Sequence, residues 1–231
     1  ICVKHKVPLI ITSLGAVPDI VNAVHSYGGL VYHDIIKKRH AEKAAEAGVD
    51  GLILVAAGAG GHGGTLNPMP FISEVRSFFD KTILLSGCIS SGRDIASAIQ
   101  MGADLAYLGT RFINTLESKA DEKYKEMIIN SKAGDIVYTA AVSGVNANFL
   151  RQSLESMGIT EEMWGNTKKI NFGDELDAAQ AEAKAWKTIW SAGQGVSSIE
   201  DCPSTKDLID RLKKEFIDSI KNQGKVLEKF S

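Results

Sequence analysis

The feature that most constrains the fold is a repeated joint between a helix and a strand. Residues 47–54 read Ala-Gly-Val-Asp-Gly-Leu-Ile-Leu, and residues 101–108 read Met-Gly-Ala-Asp-Leu-Ala-Tyr-Leu. In each, a helical pattern ends at a glycine, a short polar turn follows, and an apolar strand begins. Strand–helix units that repeat along a chain predict a parallel sheet covered by helices.

The sequence predicts five strands of this kind, separated by helical patterns. They are Val7–Ser13, Leu30–Asp34, Gly51–Val55, Thr82–Ser86 and Leu105–Leu108. Polar or glycine-rich segments follow three successive strands. This favours a barrel over a doubly wound open sheet, because a barrel gathers its active-site loops from many strand ends, whereas an open sheet concentrates them at one switch point.

We therefore expect an α/β fold of the TIM (β/α)8 barrel type, with this chain covering about strands four to eight. The chain starts at Ile1, without Met, just before a strand. The natural protein is then expected to be longer at its N-terminus. Residues 1–118 would hold barrel strands, helices and functional loops, and residues 119–231 a helical C-terminal extension packed on the barrel. The helices predicted in that extension are Lys119–Asn130, Ala178–Trp190 and Thr205–Lys221, with an extended piece at Ile136–Val142 and a turn at Ser143-Gly144 between the first two.

Net charge, cysteine content and hydropathy argue against several classes of protein. The formal net charge is −2, which argues against a nucleic-acid partner. Three widely spaced cysteines suggest neither a disulfide framework nor a metal site. No apolar stretch is long enough for a membrane span, and no charged-then-apolar leader pattern is visible. We therefore expect a cytoplasmic protein with no bound metal.

A glycine-rich loop after the third strand carries the clearest functional signal. Residues 57–64 read Ala-Gly-Ala-Gly-Gly-His-Gly-Gly. Glycine allows close backbone approach to a flat or anionic ligand, and successive backbone amides can form an anion-binding concavity. A histidine in such a loop can donate, accept or carry charge near neutral pH, so His62 is the candidate catalytic residue.

Two further loops follow the fourth and fifth strands. Residues 86–92 read Ser-Gly-Cys-Ile-Ser-Ser-Gly, and residues 108–112 read Leu-Gly-Thr-Arg-Phe. In a barrel, the loops after the last two strands commonly bind a phosphate through backbone amides and a nearby helix N-terminus. Taken alone, either loop is explained as well by turn glycines, but the two in tandem after the His62 loop are more specific.

Together these three segments resemble the motifs of the nitronate monooxygenase (2-nitropropane dioxygenase) family. The resemblance runs from about Val7 to Glu117 and resumes weakly at Ser143-Gly144 and at 192–195. It implies an FMN-binding barrel with the phosphate on the Gly87-Cys88 and Gly109-Thr110 loops, and His62 facing the reactive edge of the flavin. The cofactor-binding candidates are Ala59, Gly60, Gly61, Ser86, Gly87, Cys88, Gly109, Thr110, His33, Asp34 and Gln194.

The sequence departs from the family pattern at several positions. Val55-Ala56 stand where Gln-Gly is common, Gly58 replaces an acid, and Cys88 replaces the second glycine of Gly-Gly-Ile. His33-Asp34 replace a small polar residue or Lys at the end of the second strand. Because side chains alternate across a strand, only one of that pair is expected to point into the barrel.

The resemblance implies oxidation of alkyl nitronates, or of the neutral nitroalkanes, by O2 with FMN as the electron carrier. Two alternatives stay open: a flavin-dependent enoyl-acyl-carrier-protein reductase using NAD(P)H, and a non-catalytic FMN-binding barrel. The expected partners are small molecules, with neither nucleic acid nor membrane, and a homodimer is compatible with the sequence.

Overall fold

The computed structural model describes residues 1–15, 18–165 and 188–230. The chain divides into two compact units that interleave along the sequence. The first comprises Ile1–Ala57, Gly64–Ser86 and Ile95–Tyr107, and the second comprises Gly58–Gly63, Gly87–Asp94 and Leu108–Ser231.

Numbered along the chain, the strands of the described residues are β1 (Leu9–Thr12), β2 (Leu30–Ile35), β3 (Gly51–Val55), β4 (Gly61–His62), β5 (Thr82–Ser86), β6 (Leu105–Tyr107), β7 (Ile136–Thr139) and β8 (Ala147–Leu150). The helices are α1 (Pro18–His25), α2 (Lys38–Glu46), α3 (Pro68–Arg76), α4 (Gly92–Gln100), α5 (Thr110–Ile113), α6 (Glu122–Asn130), α7 (Arg151–Ser156), α8 (Glu161–Trp164) and α9 (Thr205–Leu227), with 3-10 turns at Ala133–Asp135 and Gln194–Ser198.

The first unit is built on the predicted parallel sheet. Its strand order is β1-β2-β3-β5-β6, and every neighbouring pair is parallel. All five predicted strands are present, which confirms an α/β fold with a parallel sheet. The strands follow one another in chain order without the reversal that defines a doubly wound sheet.

The two faces of this sheet are buried to different extents. Crossover connections between parallel strands are right-handed, and here each one leads to the next strand in the same direction along the sheet. The helices that form these connections, α1–α4, are therefore expected on a single face. On one face Val31, Leu52 and Ile83 are completely buried. On the other, Leu9 and Leu105 are 41% and 50% exposed. The sheet therefore has one closed face and one apolar face that is partly open.

A repeated set of aspartate hydrogen bonds connects successive strands of this sheet. Asp50 accepts hydrogen bonds from the backbone N–H of Val31 (2.8 Å) and from His25 (2.7 Å). Asp104, just before β6, makes the same contacts with the strand before it: it accepts from Ile83 N–H (2.8 Å) and from Arg76 (2.8 Å). The sequence echo at the two joints thus reflects a repeated hydrogen-bonding role for the aspartate.

The second unit contains an antiparallel sheet of order β4-β8-β7. The region 119–231, predicted as a helical extension, therefore also contributes two strands, and strand β4 of the glycine-rich loop pairs with one of them. The predicted helices at Lys119–Asn130 and Thr205–Lys221 are present as α6 and α9. The predicted helix Ala178–Trp190 lies almost wholly outside the described residues.

Two absences concern the described part of the chain only. Its longest helix, α9, is too polar to cross a membrane, and the shorter helices do not span one either. Nowhere in residues 1–15, 18–165 and 188–230 do three or more His, Cys, Asp or Glu side chains converge in a way that could hold a metal ion.

Candidate functional site

The glycine-rich loop adopts a conformation that its glycines make possible. Gly58 and Gly61 have positive φ angles of 81° and 72°, in the left-handed region that side chains rarely adopt. Gly58 is also closely packed: a Cβ atom there would collide with Cys88 Sγ and lie 2.7 Å from Gln194 Oε1. Both backbone conformation and space therefore require glycine at position 58.

A segment from the C-terminal region packs onto this loop. We call Ala192–Gly195 the return segment. Its Gln194 N–H donates to the carbonyl oxygen of Gly58 at 2.8 Å. A Cβ atom on Gly60 would lie 2.8 Å from Gly193 N, so the two backbones are in direct contact. The sequence predicted Gln194 at the site only through the weak resemblance at 192–195.

The return segment also reaches the other two predicted loops. The N–H of Gly193 donates to Thr110 Oγ1 at 3.0 Å. On the other side, a Cβ atom on Gly195 would lie 2.5 Å from Ser90 Oγ and 3.2 Å from the carbonyl carbon of Cys88. Within the second unit, therefore, the His62 loop, the Cys88 loop and the Thr110 loop all converge on one short piece of backbone.

Two aromatic residues hold the chain immediately before the return segment. The hydroxyl group of Tyr124 donates to the carbonyl oxygen of Ser191, and its ring stacks on Trp190 with centroids 5.1 Å apart. Burial raises the pKa of Tyr124 to about 12, so the hydroxyl group stays protonated as the donor this contact needs. No sequence motif predicted this role for Tyr124.

The His62 loop is held on its other side by the antiparallel sheet. Gly61 pairs with Asn148 and His62 with Ala147. The side-chain amide of Asn148 donates to the carbonyl oxygen of Ala59 at 2.7 Å. His62 lies on the exposed side of this pairing. Asn148 is 3% exposed and was missed at the level of sequence, where a lone Asn in an apolar strand carries no functional pattern.

Cys88 occupies a position suited to glycine. Its φ angle is 59°, and Gly87 before it has a φ of 120°. Desolvation raises the pKa of the Cys88 thiol, and the negative charge of Asp94 raises it further, although Gln194 acts in the opposite direction. The thiol is therefore neutral at physiological pH and is not an activated nucleophile.

The backbone amides at the start of α4 are occupied by the protein's own carboxylates. Asp94 accepts from the N–H groups of Ser90 (3.0 Å) and Ser91 (2.9 Å), and Glu215 accepts from that of Gly92 (2.7 Å). By contrast, the N–H groups of Gly109 and Thr110 meet no acceptor within the described residues. The loop after β6 therefore offers two amides to an anion, whereas those of Ser90, Ser91 and Gly92 are already bonded.

Arg111, although part of the Gly-Thr-Arg-Phe motif, has a structural contact. It is 2% exposed and forms an ion pair with Asp201 at 2.8 Å. Asp201 also pairs with Arg211 of α9 at 2.7 Å. The guanidinium group therefore ties the Thr110 loop to the C-terminal helix.

Three of the predicted site residues belong to the first unit. Ser86 ends β5, and His33 and Asp34 lie on β2. His33 is on the closed face, where its Nδ1 is 2.7 Å from Thr12 Oγ1. Burial lowers the pKa of His33, although the charge of Asp34 opposes this shift, so the imidazole is neutral at physiological pH. Asp34 lies on the opposite, partly open face.

Known proteins resemble this chain in sequence or in fold. The chain is 28% identical over 217 residues to a nitronate monooxygenase of Paraburkholderia phytofirmans, covering 87% of this chain and 58% of the relative. The solved structure of FabK from Thermotoga maritima matches 97% of this chain and 73% of its own length, with 23% identity and a TM-score of 0.79. A nitroalkane oxidase of Streptomyces ansochromogenes matches 96% and 67%, with 22% identity and a TM-score of 0.76.

The curated relatives are longer than this sequence: the chain spans 58% to 61% of the length of the first three it matches. The profile of one family, described as nitronate monooxygenase, matches residues 1–215, which is most of the chain. The three converging loops lie within the residues that this profile matches. The chain therefore belongs to the nitronate monooxygenase family, a family of flavin-dependent oxidoreductases.

Proposed function

We propose that this chain is the flavin-holding part of an FMN-dependent enzyme that oxidises alkyl nitronates, and the related nitroalkanes, with O2. The observation that carries the proposal is the convergence of the His62, Cys88 and Thr110 loops on the return segment. A reacting group and two candidate phosphate-binding loops are thereby held in one compact unit.

The proposal assigns the five parallel strands to strands four to eight of a (β/α)8 barrel. Their unreversed order and the partly open apolar face, with Leu9 and Leu105 exposed, support this assignment. In such a barrel the open face would form the interior, and three further strands would cover it.

The residues present fit the phosphate of FMN. Gly109 is exposed, and a Cβ atom placed on it would meet nothing within 4 Å in the described part of the chain, so space lies open there beside the amides of Gly109 and Thr110, which have no acceptor among those residues. The backbone turn at Gly87 and Cys88, with two successive positive φ angles, would present further amides. When bound, FMN supplies the electron-accepting ring. The chain contributes binding and orientation.

His62 would act on the substrate. For a neutral nitroalkane, its imidazole would accept the proton from the carbon atom next to the nitro group. For a nitronate no base is needed, and His62 would donate a hydrogen bond or place a positive charge near the nitro oxygens. The exposure of His62 at the loop supports either role, since both require access to substrate.

Further cofactor contacts are proposed for Ala59, Gly60, Gly61, Ser86 and Gln194. Of the two β2 candidates, Asp34 is the better placed, because it lies on the partly open face of the sheet, whereas His33 is buried on the closed face and bonded to Thr12. Assembly as a homodimer and a cytoplasmic location remain predictions.

Spectra and oxygen uptake of the purified protein test the function. We expect flavin absorption, FMN on release of the cofactor, and oxygen consumption with propionate 3-nitronate or 2-nitropropane. Flavin bleaching under anaerobic conditions by the nitronate, but not by NADPH, would support oxidation. Rapid bleaching by NADPH would indicate the enoyl reductase instead, and bound FMN with neither reaction would indicate a non-catalytic barrel.

Replacing His62 tests the role of the imidazole. We expect His62→Ala to retain FMN yet lose most turnover, by roughly 100-fold or more, as is typical when a general acid–base group is removed. His40→Ala on α2, in the first unit, is the matched control and should keep turnover. Unchanged turnover in His62→Ala would remove His62 from the mechanism.

A further inference from the structure

The antiparallel sheet of the second unit does more than cover the His62 loop. Tyr138 of β7 and Asn148 of β8 stand directly opposite each other in the register. Their side chains reach the two ends of the same loop: the Asn148 amide donates to the carbonyl oxygen of Ala59 (2.7 Å), and the Tyr138 hydroxyl group donates to that of Gly63 (3.1 Å). His62 lies between these two anchor points in the sequence.

The ends of the loop are close together at this place. A Cβ atom on Gly63 would lie 3.3 Å from the carbonyl oxygen of Ala59 and 3.7 Å from Asn148 Nδ2. Asn148 is therefore at the neck of the loop, where it is 3% exposed. Because a buried amide that loses its acceptor is costly, this contact strongly favours one loop conformation.

Pairing of the β4 backbone with β8 also restrains the loop. Gly61 pairs with Asn148, and His62 pairs with Ala147, so the same strand that carries the Asn148 amide also fixes the direction of the His62 backbone. Three glycines in this part of the loop, Gly60, Gly61 and Gly63, lack side chains that would restrict it. The conformation is thus imposed from outside the loop, by β7 and β8 on the side of His62 and by the return segment at Gly58 and Gly60.

We propose that Tyr138 and Asn148 form a two-point clamp that positions His62 for reaction. Neither is a catalytic residue, because both act through the carbonyl groups of Ala59 and Gly63. The kinetic consequences rest on the proposed function, whereas the mechanical consequence, an ordered loop, does not. The clamp is therefore testable in two independent ways.

The first test measures loop order without any reference to activity. Hydrogen exchange of a peptide covering residues 58–64 is compared for the wild type, Tyr138→Phe and Asn148→Ala. We expect exchange to accelerate roughly tenfold or more in each variant, because each loses one of the two anchors. Exchange at wild-type rates in both variants would overturn the clamp, whether or not the protein oxidises nitronates.

The second test measures catalysis by the FMN-loaded protein. We expect kcat with the nitronate to fall roughly 10- to 100-fold in each variant, since small misplacement of a reacting group has effects of that size. KM and FMN affinity should stay within about twofold. An equal loss of FMN affinity and kcat would show a general structural role and refute positioning. Tyr138→Phe removes only one oxygen atom, so it remains informative if Asn148→Ala does not fold.

Matched controls break the same kinds of hydrogen bond elsewhere. Tyr27→Phe removes a hydroxyl bond to the carbonyl oxygen of Val7 (2.9 Å), and Asn114→Ala removes a buried amide bond to that of Lys125 (2.9 Å). Both should leave the exchange of residues 58–64 and kcat near wild-type values. If the controls change loop exchange as much as the clamp variants do, the effect is global and the proposal fails.

Discussion

A single methyl group at Gly60 should separate the His62 loop from the return segment. The Cβ atom of an alanine there would lie 2.8 Å from Gly193 N and 2.9 Å from the carbonyl carbon of Ala192, both backbone atoms, and 3.1 Å from Thr110 Oγ1. Because ordinary contacts begin near 3.4 Å, one of the two backbones must retreat by about 0.5 Å. That movement would strain the hydrogen bond from Gly193 N–H to Thr110 Oγ1.

The energetic cost follows from this overlap. Overpacking of a well-packed site costs about 1–3 kcal/mol. For a protein of this size, about 2 kcal/mol corresponds to a fall in Tm of roughly 4–8 °C. The loops that we propose for FMN would also move apart, so FMN affinity should fall together with stability in Gly60→Ala.

Gly134→Ala is the matched control for this substitution. A Cβ atom at Gly134 would meet nothing within 4 Å, and Gly134 has no positive φ angle. It should change the free energy of unfolding by no more than about 1 kcal/mol, in the stabilising direction. Urea unfolding and FMN titration measure both quantities. If Gly60→Ala proves as stable as Gly134→Ala and binds FMN equally, the contact between the loop and the return segment is not as described.

Three further substitutions test other parts of the structure. Asp201→Ala should destabilise the protein by about 1–2 kcal/mol in urea unfolding, because the buried guanidinium group of Arg111 loses a carboxylate partner that solvent partly screens; no measurable loss would contradict this. Burial alone would raise the pKa of Asp104, but its hydrogen bonds and ion pair lower it below the unfolded value. The stability that ionised Asp104 contributes is therefore present above about pH 4 and lost as pH falls through the folded pKa. The loss of unfolding free energy in Asp104→Asn should thus be clear at pH 7 and smaller at pH 3; an equal loss at both pH values would refute the assignment. Finally, Gly58→Ala should destabilise the wild type by at least about 1 kcal/mol more than it destabilises a Cys88→Gly background, because the thiol is the nearest atom that the new methyl group meets; a double-mutant cycle with no coupling would show that the thiol contact does not matter.

Local patterns were enough to predict the scaffold. The strands β1, β2, β3, β5 and β6 are short apolar runs bounded by glycine and polar turns, and such runs depend mainly on neighbouring residues. The echo at Asp50 and Asp104 indicated a repeated unit, which the structure shows as a repeated hydrogen bond to the preceding strand. The family was predicted for the same reason, because its motifs are contiguous in sequence.

Strand pairing between residues far apart in the sequence was not predicted. The region 119–231 was predicted as a mainly helical extension with one extended piece at Ile136–Val142, and the structure pairs that piece, as β7, with β8, which in turn pairs with the glycine-rich loop. Periodicity did indicate an extended piece near β7. It could not reveal that β8 would also pair with the two-residue strand β4, some 85 residues earlier in the chain, since so short a strand has no pattern of its own.

By itself, the sequence determined the parallel strand–helix repeat, the glycine-rich loop with its histidine, and the two amide-rich loops, because each depends on residues adjacent in the chain. Only the tertiary structure decided what holds them: the return segment on Gly58 and Thr110, the Tyr138–Asn148 pair on the loop ends, and Glu215 on the amide of Gly92, 123 residues away. The physical reason is that a hydrogen-bond donor has the same local sequence whatever acceptor it meets. The acceptor is chosen only when folding brings distant backbone groups together and removes water from between them.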